Sequence, residues 1–138
     1  MSEELQYVRH ANGIHEFTFL KASRNSIDEL YEVMRGLLQH HPKPDSVLLL
    51  VDVTNGIYPP LRYLFSATTD FNATHDDAPP GYTAVISNPN AVVMLADTFM
   101  KTLSQFIVGY NNLRFFKPDE REQAIQWLLH LQQEHSEP

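Results

Sequence analysis

SVLLLVDVTNG, residues 46–56, contains five consecutive large aliphatics, Val47 to Val51, that run straight into Asp52, Thr54, Asn55 and Gly56. An uninterrupted apolar run closed by turn residues suits a strand covered on both faces. Such a strand lies in the interior of a sheet with helices packed against it. Its polar residues then fall at the C-terminal end, where open α/β sheets place their sites.

Upstream, Tyr7 to His10 and Ile14 to Leu20 flank Asn12-Gly13, a strong hairpin signal because both loop residues tolerate positive φ. A two-residue loop sets Ala11 against Ile14, His10 against His15, Arg9 against Glu16 and Val8 against Phe17. Val8, Phe17 and Phe19 then share the core face. Ser26-Ile27-Asp28-Glu29 has the form of a capping box with Ser26 as N-cap. Ile27, Leu30, Val33 or Met34, Leu37 and Leu38 follow at helical spacing, and Pro42 and Pro44 stop that helix near His41.

Downstream, Pro59-Pro60 opens a second helix with Leu61, Leu64, Phe65 and Thr68 as its inner stripe, fading around Asn72. THDDAPPG, residues 74–81, is an exposed polar loop. Tyr82 to Ser87 is another buried strand. Asn88-Pro89 starts a helix that Val92, Leu95, Phe99, Leu103 and Phe106 carry to Val108. Leu113 to Phe116 is a short last strand. Pro118-Asp119-Glu120 opens the final helix, with Ala124, Trp127, Leu128 and Leu131 buried and the tail frayed after Gln133. The expected fold is α/β, in the order ββαβαβαβα. It has a five-stranded mixed, mostly parallel sheet with an N-terminal β-hairpin and four helices, in one domain over residues 1–138.

The chain's 138 residues carry a formal charge of −7, which argues against a nucleic-acid backbone or an anionic membrane as partner. With no cysteine, disulfides, thiol catalysis and cysteine-ligated metals are excluded. MSEELQ lacks the layout of a secretion signal, and no apolar run is long enough to span a bilayer, so a cytoplasmic location is expected. Five glycines supply no P-loop, Gly-x-Gly-x-x-Gly or Gly-x-Ser-x-Gly motif. His10 with His15, and His75 with Asp76 and Asp77, lack a recognised ligand spacing, so no metal and no cofactor are expected.

LLLVDVTNG (48–56) and LRFFKPDEREQAIQWLLHLQ (113–132) carry a resemblance. The first is a strand ending in Asp-x-Thr before a helix. The second is an aromatic strand, an acidic helix start and Ala-x-x-Trp-Leu. With the order of elements, they resemble the STAS domain of anti-sigma-factor antagonists and sulphate-transporter tails, and more closely the small stand-alone bacterial STAS-like proteins. The resemblance implies a non-enzymatic cytoplasmic regulatory module that binds a protein partner. In the antagonists, a phosphorylatable serine at the start of the second helix controls binding. Here the corresponding stretch, Gly56-Ile57-Tyr58-Pro59-Pro60-Leu61, has none, so the phospho-switch does not carry over. Tyr58 and Thr54 supply the nearest hydroxyls.

The candidate binding residues are Asp52, Thr54, Asn55 and Tyr58 in the loop, with Arg62 and Tyr63 projecting from the exposed side of the second helix. Ser87, Asn88 and Asn90 end the neighbouring strand and would share the rim. The structural alternative is that Asp52 or Thr54 accepts local backbone N–H groups, that Asn55-Gly56 makes a turn and that Ser87 or Asn88 caps a helix. Met94 and Met100 widen the apolar face of the 88–108 helix, which suits either core or interface, including a homodimer. An alternative function is a carrier of a small apolar or anionic ligand, held between the second and third helices. An enzyme would need titratable residues converging in a cleft.

Overall fold

The computed structural model describes residues 3–39, 46–74, 81–88 and 113–136. Their order is β1 (Leu5–Arg9), β2 (Ile14–Phe19), α1 (Arg24–Leu38), β3 (Val47–Asp52), α2 (Leu61–Thr74), β4 (Gly81–Ile86), β5 (Leu113–Phe116), a 3-10 turn (Pro118–Glu120) and α3 (Arg121–Ser136). The helix expected over 88–108, the 75–80 part of the loop and the stop near His41 lie outside the described residues. No helix among them is long and apolar enough to cross a membrane.

The class is α/β with one mixed five-stranded sheet, ordered β1-β2-β3-β4-β5. β1 is antiparallel to β2, and β2 to β5 run parallel. The aliphatic run forms the central strand, where Leu48 and Leu50 are completely buried on one face and Val47 on the other. Right-handed crossovers that always step the same way across a sheet put their helices on one face. Accordingly, α1 and α2 pack together over Phe17, Phe19, Val47, Val53 and Val85. The opposite face, Ile14, Leu48, Leu50, Ala84, Ile86 and Phe116, is covered by α3 through Ala124 and Leu128. Because the order of the described strands never reverses, it forms no switch-point crevice. Among the described residues, loops build the C-terminal rim.

The hairpin differs from the expected register by one residue. Arg9 pairs with His15, Val8 with Glu16 and Tyr7 with Phe17. The loop is a turn across His10–Gly13, with Gly13 N–H donating to His10 O, followed by Gly13 at φ +91° and a bond from His10 N–H to Ile14 O. This is a three-residue loop with a glycine bulge, and it needs only one positive φ where the two-residue turn needs two. The Asn12 side chain instead accepts from Ile14 N–H. Since a one-residue slip exchanges faces, Val8 leaves the core and is 40% exposed. Tyr7 takes its place, stacked on Phe17. His10 and His15 no longer face each other.

The first helix also begins earlier than expected. Ser23, not Ser26, is the N-cap, and its Oγ accepts from Ser26 N–H. Ser26 sits one turn inside, fully buried, donating its hydroxyl to Ser23 O. At the C-terminus the helix continues to Ser136 rather than fraying after Gln133.

Candidate functional site

Asp52 ends β3, and its Oδ1 accepts from both Thr54 N–H (2.8 Å) and Thr54 Oγ1–H (2.7 Å). Asn55 donates to Phe19 O at the end of β2 (2.9 Å) and accepts from Ile57 N–H (3.0 Å). Gly56 N–H closes the turn on Val53 O, and Gly56 adopts φ +81°. Asn88, beyond β4, donates to Thr54 O (3.1 Å). The 52–56 loop is therefore tied to two neighbouring strands, and the polar side chains that looked free in the sequence make the turn itself. Asp52 and Thr54 do act on local groups, and Asn88 braces the loop.

The structure divides the remaining candidates. Tyr58 is half-buried against the α1–α2 side of the core, and Pro59, next in the chain, is buried. Arg62 is exposed on α2. Tyr63 does not project freely: it packs at the edge of the same core, its hydroxyl donates to Asp28 of α1, and the Arg24 guanidinium lies 5.3 Å from its ring centre. The bond to Asp28 favours the protonated phenol and pushes its pKa up. Helical periodicity placed Tyr63 outside because it cannot report how closely the adjacent helix approaches. Ser87 is fully buried, and its Oγ has no hydrogen-bond partner among the described residues. A cleft between α2 and the 88–108 segment falls outside the described residues.

On the α3 face, the fold assembles a charged cluster that sequence reasoning missed. Glu16 shares the face of Ile14, a position that strand alternation gives to the core. Its side chain is 14% exposed. Arg121 Nη2, from the first turn of α3, donates to Glu16 Oε1 at 2.5 Å, and His10 Nε2 lies 2.7 Å from the same oxygen. Arg121 Nη1 also reaches to 3.8 Å from Asp52 Oδ2, the oxygen not used by Thr54. Burial pushes the Glu16 carboxyl up, but the hydrogen bonds from Arg121 and His10 outweigh it and leave the pKa below its ordinary value. The Glu16 bond raises that of Arg121. On the other face, His15 stacks beside Tyr7 and its Nδ1 lies 2.7 Å from the Tyr7 hydroxyl. Burial, aided by Arg9, pushes the His15 pKa down. The one sequence signal for the charged cluster was a carboxylate on an apolar strand face, which requires a cation from elsewhere in the chain. Among the described residues no three His, Cys, Asp or Glu side chains gather in a metal-holding geometry.

No protein-family model, curated protein or solved structure matches the chain.

Proposed function

We propose that this chain is a non-enzymatic, STAS-like interaction module that docks a protein partner on the rim formed by the β3–α2 loop and the exposed side of α2. The observation that carries this proposal is how completely the loop is fixed. Asp52, Asn55 and Asn88 tie it to itself and to the ends of β2 and β4. A loop already held in one shape loses little conformational entropy when a partner binds. Its solvent side presents Asn55, with Arg62 on the adjoining helix. Arginine is a common anchor for protein partners, through its planar, multiply donating head group.

The same geometry argues for docking without a phosphate switch at Thr54. The Thr54 hydroxyl already donates to the Asp52 carboxylate. A phosphate there would lose that bond and face a like charge.

The test is a photo-crosslinking amino acid placed at position 62 and, as a control, at the exposed position 123 of α3, in cells of the source organism. A discrete protein adduct from 62 and none from 123 supports the proposal. Identical adducts from both positions, or none from 62, overturn it.

A further inference from the structure

We infer that Arg121 is a positioning residue for the 52–56 loop: its guanidinium is shared between Glu16 and Asp52, and the share taken by Glu16 sets how firmly Asp52 holds Thr54. In the parallel β2–β3 register Glu16 pairs with Leu50 and Thr18 with Asp52. Glu16 and Asp52 are therefore two positions apart on adjoining strands. Strand alternation puts both on the α3 face, with Ile14, Leu48 and Leu50. Two carboxylates so placed repel each other unless a cation lies between them. Arg121, in the first turn of α3, is that cation.

The two contacts are unequal. Arg121 Nη2 is 2.5 Å from Glu16 Oε1, a hydrogen bond, whereas Nη1 is 3.8 Å from Asp52 Oδ2, an ion pair too long to be one. His10 Nε2 competes for the same Glu16 oxygen at 2.7 Å. Asp52 Oδ2 has no other charged partner among the described residues. Its Oδ1 accepts from Thr54 N–H and Thr54 Oγ1–H, and Asn88 donates to Thr54 O. A line of contacts thus runs from α3 through one carboxylate into the loop. If Glu16 loosens its hold, the guanidinium can close on Asp52 and fix the rotamer that caps Thr54. A planar guanidinium with two separated nitrogens can serve both carboxylates, whereas a lysine ammonium is a point charge that meets one at a time. The bearing on partner docking rests on the reading of this loop as the rim. The coupling itself is measurable without a partner.

Solvent exchange of backbone amides in the isotope-labelled full chain, read by NMR at low salt, tests this. Thr54 N–H should exchange about threefold faster in both Arg121→Ala and Arg121→Lys, a modest change because ion pairs this exposed are weak. In Glu16→Gln it should exchange about threefold more slowly than in the parent, by the same reasoning. Adding Arg121→Ala to Glu16→Gln should abolish that slowing. Ser26 N–H, capped by Ser23 Oγ on α1, should keep its rate throughout, which shows that each variant is folded. A Thr54 rate that Arg121→Ala leaves unchanged overturns the inference, as does an Arg121→Lys variant that behaves like the parent or a slowing in Glu16→Gln that persists without Arg121. If the exchange pattern holds while a crosslinker at position 62 captures nothing, the docking reading fails and the coupling stands. If the adduct forms and the exchange rates do not move, the coupling fails and the docking reading stands.

Discussion

Glu16 shows what one misplaced charge requires. A carboxylate on the core side of β2 is tolerated because Arg121 and His10 both meet its Oε1. Arg121→Ala should therefore cost about 1 kcal/mol, near the low end for stranding a buried acceptor, since water can reach a site that Arg121 itself leaves open. The larger effect is on pH dependence. The folded-state pKa of Glu16 lies below its ordinary 4.5. Its contribution is thus complete above that value and is lost as pH falls through the folded value. Without Arg121 the carboxyl loses the stronger of the two partners that favour its charged form and titrates closer to its ordinary value. The acid loss of urea-melt stability should therefore be smaller in Arg121→Ala than in the parent, and an unchanged acid limb would show that Arg121 is not the partner that matters. His15 has the same slope from the opposite cause. Its folded pKa lies below 6.5, so its protons are taken up preferentially by the unfolded chain. Stability is complete above about pH 6.5 and declines as pH drops toward the lowered value. His15→Leu should flatten the part of the curve just below pH 6.5, read by the same melts.

At the scale of elements, what could be read from sequence was what depends on neighbours in the chain. Val47 to Val51 announced the central strand because no other element tolerates apolar residues on both faces over so short a run. Ala124 and Leu128 announced the inner stripe of α3, and both are fully buried. Where two local solutions compete, pattern alone did not choose. Asn12-Gly13 permits a two-residue turn or a three-residue turn with a bulge, and the difference decides whether Val8 or Tyr7 enters the core. Ser23 and Ser26 both precede the helix by plausible spacing, and only the buried position of Ser26 settles the start. Nothing local links Glu16 to Arg121, which are 105 residues apart, so half of the charged cluster was invisible. These competing solutions make predictions. Ser23→Ala should lower stability by about 1 kcal/mol, with Ser23→Gly recovering most of the loss, as expected for a cap. Gly13→Ala should cost about 1–2 kcal/mol, because a Cβ at φ +91° is strained. The nearest atom to that Cβ, Gln132 Nε2 at 3.7 Å, adds no clash. Chemical-denaturation midpoints read both. A neutral Gly13→Ala would mean that the loop can relax to a conformation without the positive φ at position 13.

For the whole molecule, one sheet serves two cores. α1 and α2 pack on one face and α3 on the other, and the same backbone carries both sets of side chains. Leu50 and Val51 differ by one position and belong to opposite layers, so neither layer can come apart without disturbing the ladder that holds the other. Single domains with such shared elements unfold as one unit. The chain's single tryptophan makes this measurable. Trp127 lies on α3, its ring 5.9 Å from that of Phe116 and tilted by 53°, so its fluorescence reports the α3 layer alone. Ile27, on the inner face of α1, is completely buried in the opposite layer. Ile27→Ala removes buried methylenes far from the indole and should cost about 2–5 kcal/mol through lost transfer energy and the cavity left behind. If the sheet couples the layers, the urea midpoint read by Trp127 fluorescence must fall by as much as the midpoint read by far-ultraviolet circular dichroism, with the slope unchanged. A tryptophan transition that stays at its original midpoint while the dichroism splits into two would mean that α3 and its face form a separate cooperative unit. The charged bridge from Arg121 to Glu16 and Asp52 would then be a clasp between two units rather than a contact within one.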